Sequence, residues 1–143
     1  MADEVTIKYL YPPNFGGTYP AGTKNGARRY IILCTCQSDG TGEDDGLKVK
    51  RTDLLTPSGG VPSKLVIEKI QYEVSGMTVI VSYNNQDEDQ VAVLTGSDEI
   101  DYTPYGGFVP ASDDPLSGGD IVFTTENASL GDTYNIILTV RPK

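Results

Sequence analysis

Strict two-residue alternation constrains this chain more than any other feature. From Thr133 to Val140 the sequence reads T-Y-N-I-I-L-T-V, which places Tyr134, Ile136, Leu138 and Val140 on one side. Successive side chains of an extended strand point to opposite faces, so this pattern predicts a half-buried β-strand. Met77, Val79, Val81 and Tyr83 repeat it, as do Val5, Ile7 and Tyr9. Between Lys64 and Val74 the pattern puts Val66, Ile70, Tyr72 and Val74 on one face, with Leu65 and Ile67 on the other. Arg29 to Cys36 is apolar on both faces. Both segments read as central strands with something packed over the second side.

Further strands are expected at Leu47–Asp53, Val91–Thr95 and Asp120–Thr125, giving about eight. With 16 Gly and nine Pro among 143 residues, no stretch keeps a helical period over ten positions. The expected fold is all-β: an antiparallel, jelly-roll-like β-sandwich with a long irregular N-terminal arm. Its length is that of one domain, able to bury roughly 70% of its unfolded surface. Residues 1–27 are expected to form a strand and an aromatic Pro/Gly arm, and residues 28–143 the sandwich.

Turn signals separate the strands. Val74-Ser75-Gly76-Met77 reads as a tight hairpin link, with Gly76 free to adopt positive φ. Asp39 to Gly46 reads as a mobile acidic surface loop, and Asn84 to Asp89 as a polar hairpin loop. Residues 11–27 and 101–119 lack any strand pattern yet contain Tyr11, Phe15, Tyr19, Tyr102, Tyr105 and Phe108. Long irregular loops in compact domains are often functional, and aromatic ones are expected to pack on something. Tyr9, Tyr11, Phe15, Tyr19, Tyr102, Tyr105 and Phe108 are therefore candidate partner-binding residues. Arg28 and Arg29, which open an apolar strand, join them as candidate anchors for an acidic neighbour.

Composition removes most chemistry. There is no histidine, so histidine acid–base catalysis and Ser-His-Asp or Cys-His nucleophiles are excluded. The pairs Gly16-Gly17, Gly59-Gly60, Gly106-Gly107 and Gly118-Gly119 precede no helix and are not phosphate cradles. Carboxylate pairs occur at Asp44-Asp45, Asp113-Asp114 and Asp87 to Asp89. A glycosidase would be expected to flank such a pair with exposed tryptophan, and the chain has none. Loops 39–46, 84–90 and 112–120 could supply oxygen ligands to calcium, but none carries a D-x-[DN]-x-[DN]-G pattern. Cys34 and Cys36 share one face of an apolar strand and read as buried structural thiols. Asn127-Ala128-Ser129 reads as an ordinary turn. No catalytic residue, metal or cofactor is expected.

A formal net charge of −9 argues against nucleic acid and anionic membranes as partners. No apolar run spans a bilayer. The acidic start, Met1 to Glu4, lacks a secretory pattern, so the expectation is synthesis inside a cell and retention there until release by another route.

From Ser38 onward a resemblance appears. Its carriers are S-D-G-T-G-E at 38–43, L-K-V-K at 47–50, S-K-L-V-I-E-K-I-Q-Y at 63–72 and S-G-M-T-V-I-V-S-Y-N at 75–84. They continue with V-L-T-G-S at 93–97, D-Y-T-P-Y-G-G at 101–107, S-G-G-D-I-V-F-T-T at 117–125 and S-L-G-D-T-Y-N-I-I-L-T-V-R at 129–141. In this order they resemble small virion structural proteins of podovirus-like tailed bacteriophages. The resemblance implies a capsid decoration or cement protein without enzymatic activity, made in the host cytoplasm and placed on the capsid exterior. Its partners would be the major capsid protein, copies of itself or both, in a large multi-copy assembly. Extended, residues 11–27 could reach about 55 Å, enough to cross onto a neighbouring subunit. The alternatives are a virion-displayed binding module, recognising carbohydrate or a host surface, and a neck or tail subunit.

Overall fold

The computed structural model describes residues 4–11, 29–44, 46–54, 56, 60–84, 89–109 and 120–143. These residues form an antiparallel β-sandwich of seven strands: β1 (Glu4–Tyr11), β2 (Tyr30–Gln37), β3 (Gly46–Val49), β4 (Leu65–Asn84), β5 (Asp89–Asp101), β6 (Asp120–Glu126) and β7 (Thr133–Pro142). Short 3₁₀ turns follow β3 at Arg51–Asp53 and β5 at Thr103–Tyr105.

Strand β4 belongs to both layers. Its first half pairs with β7, from Leu65↔Pro142 to Ser75↔Thr133, and its second half with β6, from Thr78↔Glu126 to Asn84↔Asp120. β5 follows its other edge from Lys69 to Tyr83. One layer therefore runs β1-β2-β7-β4-β5, and the other runs β5-β4-β6-β3. The corner lies where Val74 faces Gly96 and Val79 faces Leu94, so four β4 residues oppose Thr95 alone. Such an excess bends a strand and increases its twist. Gly76 sits at the bend with φ +84°, where a Cβ would lie 2.2 Å from Asp132 Oδ1.

This corner corrects the sequence reading. Val74 to Met77 is a bend within one strand rather than a hairpin link, so two expected strands are one and the described residues form seven. A positive-φ glycine suits either geometry, and local sequence cannot choose between them.

A second irregularity corrects the faces of β4. The register jumps between Ile67↔Val140 and Lys69↔Thr139, leaving Glu68 as an extra residue. The alternation therefore changes phase, and Leu65, Ile67, Ile70 and Val74 all enter one core. It changes again at the Gly76 bend, so that Met77, Val79, Val81 and Tyr83 point inward. Val66, expected to share a face with Ile70, is the exception. It lies under the segment after β5, where a Cβ on Gly107 would come 2.3 Å from Val66 Cγ1.

The core is filled from both layers. Tyr30, Ile32, Cys34 and Cys36 of β2 meet Tyr134, Ile136, Leu138 and Val140 of β7, and the Phe123 ring of β6 meets Tyr134 edge-on at 5.7 Å. Each such large side chain contributes about 1.5–3 kcal/mol by leaving water. Cys34 and Cys36 are free and buried, and burial pushes the Cys34 thiol up to about 12. The Tyr83 hydroxyl lies 2.7 Å from Leu65 O and 2.8 Å from Phe108 O, which fastens the segment after β5 to the start of β4.

Candidate functional site

The inward alternation of the five-stranded layer leaves its other side chains facing outward. Across four strands they line up in rows. Leu33, Ile137, Gln71 and Glu99 are register partners, and so are Thr35, Asn135, Glu73 and Ser97. Gln71 Nε2 donates to Glu99 Oε2 at 3.1 Å, and Lys69 Nζ lies 3.3 Å from Glu99 Oε1. Gln71, Glu73, Ser97, Glu99, Asn135 and Ile137 surround an open depression of about 440 Å³. Its lining combines carboxylate acceptors with amide and hydroxyl groups that both donate and accept. The half-buried Ile137 adds an apolar surface.

One end of the same face is pinned by charge. The extra residue Glu68 is buried, and its carboxylate accepts from Arg29 Nε at 2.5 Å with Arg141 Nε 3.5 Å away. Arg141 Nη2 donates to Gly106 O at 3.3 Å. The turn it holds is capped by Asp101 Oδ1, which accepts from Thr103 N at 2.9 Å and Thr103 Oγ1 at 2.6 Å. The Thr103 hydroxyl and N–H hold the Asp101 carboxyl below its usual range. Tyr105 stands at the tip of this fixed turn, 82% exposed.

The predicted partner-binding residues separate in space. Tyr105 is exposed, and Tyr11 is half-exposed at the end of edge strand β1. Tyr9 is partly buried, its ring edge-on to Tyr30 at 6.4 Å. Tyr102 and Phe108 are half-buried. Their rings meet at 5.4 Å, Phe108 stacks on Tyr83 at 6.2 Å, and both pack against the core. An aromatic in an irregular stretch is as able to seal the end of a sandwich as to bind a partner. Arg29 is committed to Glu68. Phe15, Tyr19 and Arg28 lie outside the described residues, as do residues 12–28, 85–88 and 110–119 of the expected loops.

In the stretch 39–46, expected to be a mobile acidic surface loop, Gly40, Thr41 and Asp44 are exposed while Glu43 is anchored. Glu43 N donates to Thr125 Oγ1 at 2.7 Å, and Thr125 N returns a bond to Glu43 O at 3.0 Å. The Glu43 carboxylate points inward, accepting from the Tyr134 hydroxyl at 2.6 Å and pairing with the buried Lys48 ammonium. Burial first, and Glu43 second, push the Tyr134 hydroxyl far above its usual range. Lys48 also lies over the Phe123 ring, 5.6 Å from its centre. Among the described residues no three His, Cys, Asp or Glu side chains gather as metal ligands, and no helix is long and apolar enough to cross a membrane.

Sequence reasoning missed Gln71, Glu73, Glu99 and Asn135. The signal was available, because they are the polar half of the alternation that identified the core. What alternation lacks is the pairing that sets them side by side.

No protein-family model matches the chain, and no curated protein matches it. Two solved structures are similar to it, both mutants of family 29 carbohydrate binding modules. One, studied for its mechanism of ligand recognition, shares 15% identity over 96% of this chain and 85% of its own, with a TM-score of 0.44. The other shares 12% identity over 96% of this chain and 92% of its own, with a TM-score of 0.37. Likeness of this extent stops short of a shared task.

Proposed function

We propose that this chain is a non-catalytic binding module that presents the outer face of its five-stranded layer to a hydroxyl-rich chain, an oligosaccharide. The observation that carries this reading is the depression ringed by Gln71, Glu73, Ser97, Glu99 and Asn135, side chains drawn from three adjacent strands. A sugar hydroxyl both donates and accepts, and amides and carboxylates fixed on a rigid sheet can meet it from both sides. Neighbouring strands stand about 4.8 Å apart, so the five strands offer a track roughly 19 Å wide across the layer. This depression is what separates the layer from an ordinary solvated sheet face. It also reverses the order of the two functions expected from sequence.

Glycan-array binding followed by calorimetry tests the reading. At least one oligosaccharide should bind, and Gln71→Ala with Glu99→Ala should weaken it more than tenfold while the circular dichroism spectrum stays unchanged. Absence of any glycan ligand, or an affinity indifferent to both substitutions, would overturn it.

A second reading is favoured by β1. This strand ends the strand order, and Ile7, Leu10 and Tyr11 are exposed along it at 39%, 40% and 52%. An apolar edge strand is a template for pairing with another chain. In this reading the chain attaches to the outside of a phage capsid as a decoration or cement subunit and stabilises the shell by mass action. Occupancy on purified particles should then fall for Ile7→Lys with Leu10→Lys. Unchanged occupancy would remove β1 from the attachment.

A further inference from the structure

The outer face of the second layer carries a separate depression. Ser82 of β4, Gln90 of β5 and Val122 of β6 are register partners, with Ile80 and Thr124 forming the next row and Thr78 and Glu126 the one after. Asp44, Ile80, Ser82, Gln90, Thr124 and Glu126 line a hollow of about 290 Å³. Ser82 is 1% exposed, and its hydroxyl has no hydrogen-bond partner among the described residues. A buried hydroxyl left unpaired is costly, and native structures rarely keep one without a use. Asp44 and Glu126 have no ion-pair partner among the described residues, and the six lining residues include no cation.

The lining is therefore rich in acceptors, carries two negative charges unopposed among the described residues and has an apolar strip at Ile80. A metal ion does not suit it. Five of the six lining side chains come from β4, β5 and β6 and Asp44 comes from the connection before β3, and among the described residues no three carboxylates gather to supply the roughly six to eight oxygens that calcium takes. We propose that this hollow binds an alkylammonium group, with its N–H donors shared between the Ser82 hydroxyl and the rim carboxylates and its methylene stem along Ile80. An ammonium has three donors and no acceptor, which complements this lining. The group could belong to a free polyamine or to a lysine side chain. The chain's net charge of −9 favours an approaching cation in either case.

The test uses the whole chain, isotope-labelled, titrated in low salt with 1,4-diaminobutane in one arm and a short lysine-containing peptide in the other. Saturable amide shifts should concentrate at Ser82, Gln90, Thr124 and Glu126 and weaken with salt. Tighter binding of the diamine assigns the site to a polyamine, and tighter binding of the peptide to a protein lysine. Ser82→Ala and Glu126→Gln should each weaken binding by at least about fivefold. Ser82→Ala removes an unpaired buried hydroxyl and should leave thermal stability undiminished, so lost binding would not reflect unfolding. Absence of saturable shifts in both arms, shifts confined to the opposite layer, or affinities unchanged in both variants would overturn the proposal. These outcomes are independent of glycan binding on the five-stranded layer.

Discussion

The Glu43 carboxylate meets the Tyr134 hydroxyl at 2.6 Å, joining the connection between β2 and β3 to the start of β7 across 91 positions of sequence. The same carboxylate neutralises Lys48, whose side chain is 2% exposed. Removing one partner of a buried pair leaves an uncompensated charge, which costs about 3–5 kcal/mol. Glu43→Ala should therefore lower the urea midpoint more than Tyr134→Phe, which removes one hydrogen bond to a charged group, worth about 1.5–3 kcal/mol. Equal effects would mean that Lys48 finds water when Glu43 is lost.

Alkaline pH should unfold the protein through groups that the fold keeps protonated. Burial raises the Cys34 thiol from 9.0 to about 12 and pushes Tyr134 up from 10.0. A folded-state pKa above the unfolded one gives stability that is complete below the unfolded value and is lost as pH rises past it. Stability should hold up to about pH 9, then fall by up to about 1.4 kcal/mol per pH unit for each group. Denaturant midpoints across pH 7–11 check this, and Cys34→Ala should flatten the first part of the decline.

Two glycines at the β4–β5 corner should respond differently to alanine. Gly76 and Gly96 both have positive φ, at +84° and +72°, so each pays about 1–2 kcal/mol for a Cβ. Gly96 faces open space, whereas a Cβ on Gly76 would meet the Asp132 carboxylate. Gly76→Ala should be clearly the more destabilising in thermal unfolding, and equal losses would show that Asp132 yields freely.

The aromatics of the segment after β5 divide in the same way. Phe108→Ala should cost about 2–4 kcal/mol, because its ring packs between Tyr83 and Tyr102. Tyr105→Ala should change stability by less than about 0.5 kcal/mol. The expected thermal shifts are large for Phe108→Ala and near zero for Tyr105→Ala.

Much of the fold was legible in sequence because alternation reports burial directly. Tyr134, Ile136, Leu138 and Val140 point inward as their pattern requires, and so do Met77, Val79, Val81 and Tyr83. Alternation fails where a strand gains a residue, since Glu68 reverses its phase without any local signature, and the Gly76 bend reverses it with a signature shared by hairpin turns. It also understates β5, which runs on to Asp101 through Gly96-Ser97-Asp98, residues with weak strand preference that pair with Val74, Glu73 and Tyr72 of β4. Glu43 read as a solvated turn acid because its partners, Lys48 and Tyr134, lie on other elements. The candidate binding face was invisible for a related reason. Gln71, Glu99 and Asn135 are unremarkable singly, and only strand pairing places them together.

Chemical-shift mapping with the best oligosaccharide from the array tests the central claim most directly. Shifts should gather at Gln71, Glu73, Ser97, Glu99, Asn135 and Ile137 on adjoining strands. Shifts absent from these positions, or gathered instead along β1 or around Ser82, would contradict a sugar-binding role for the five-stranded face.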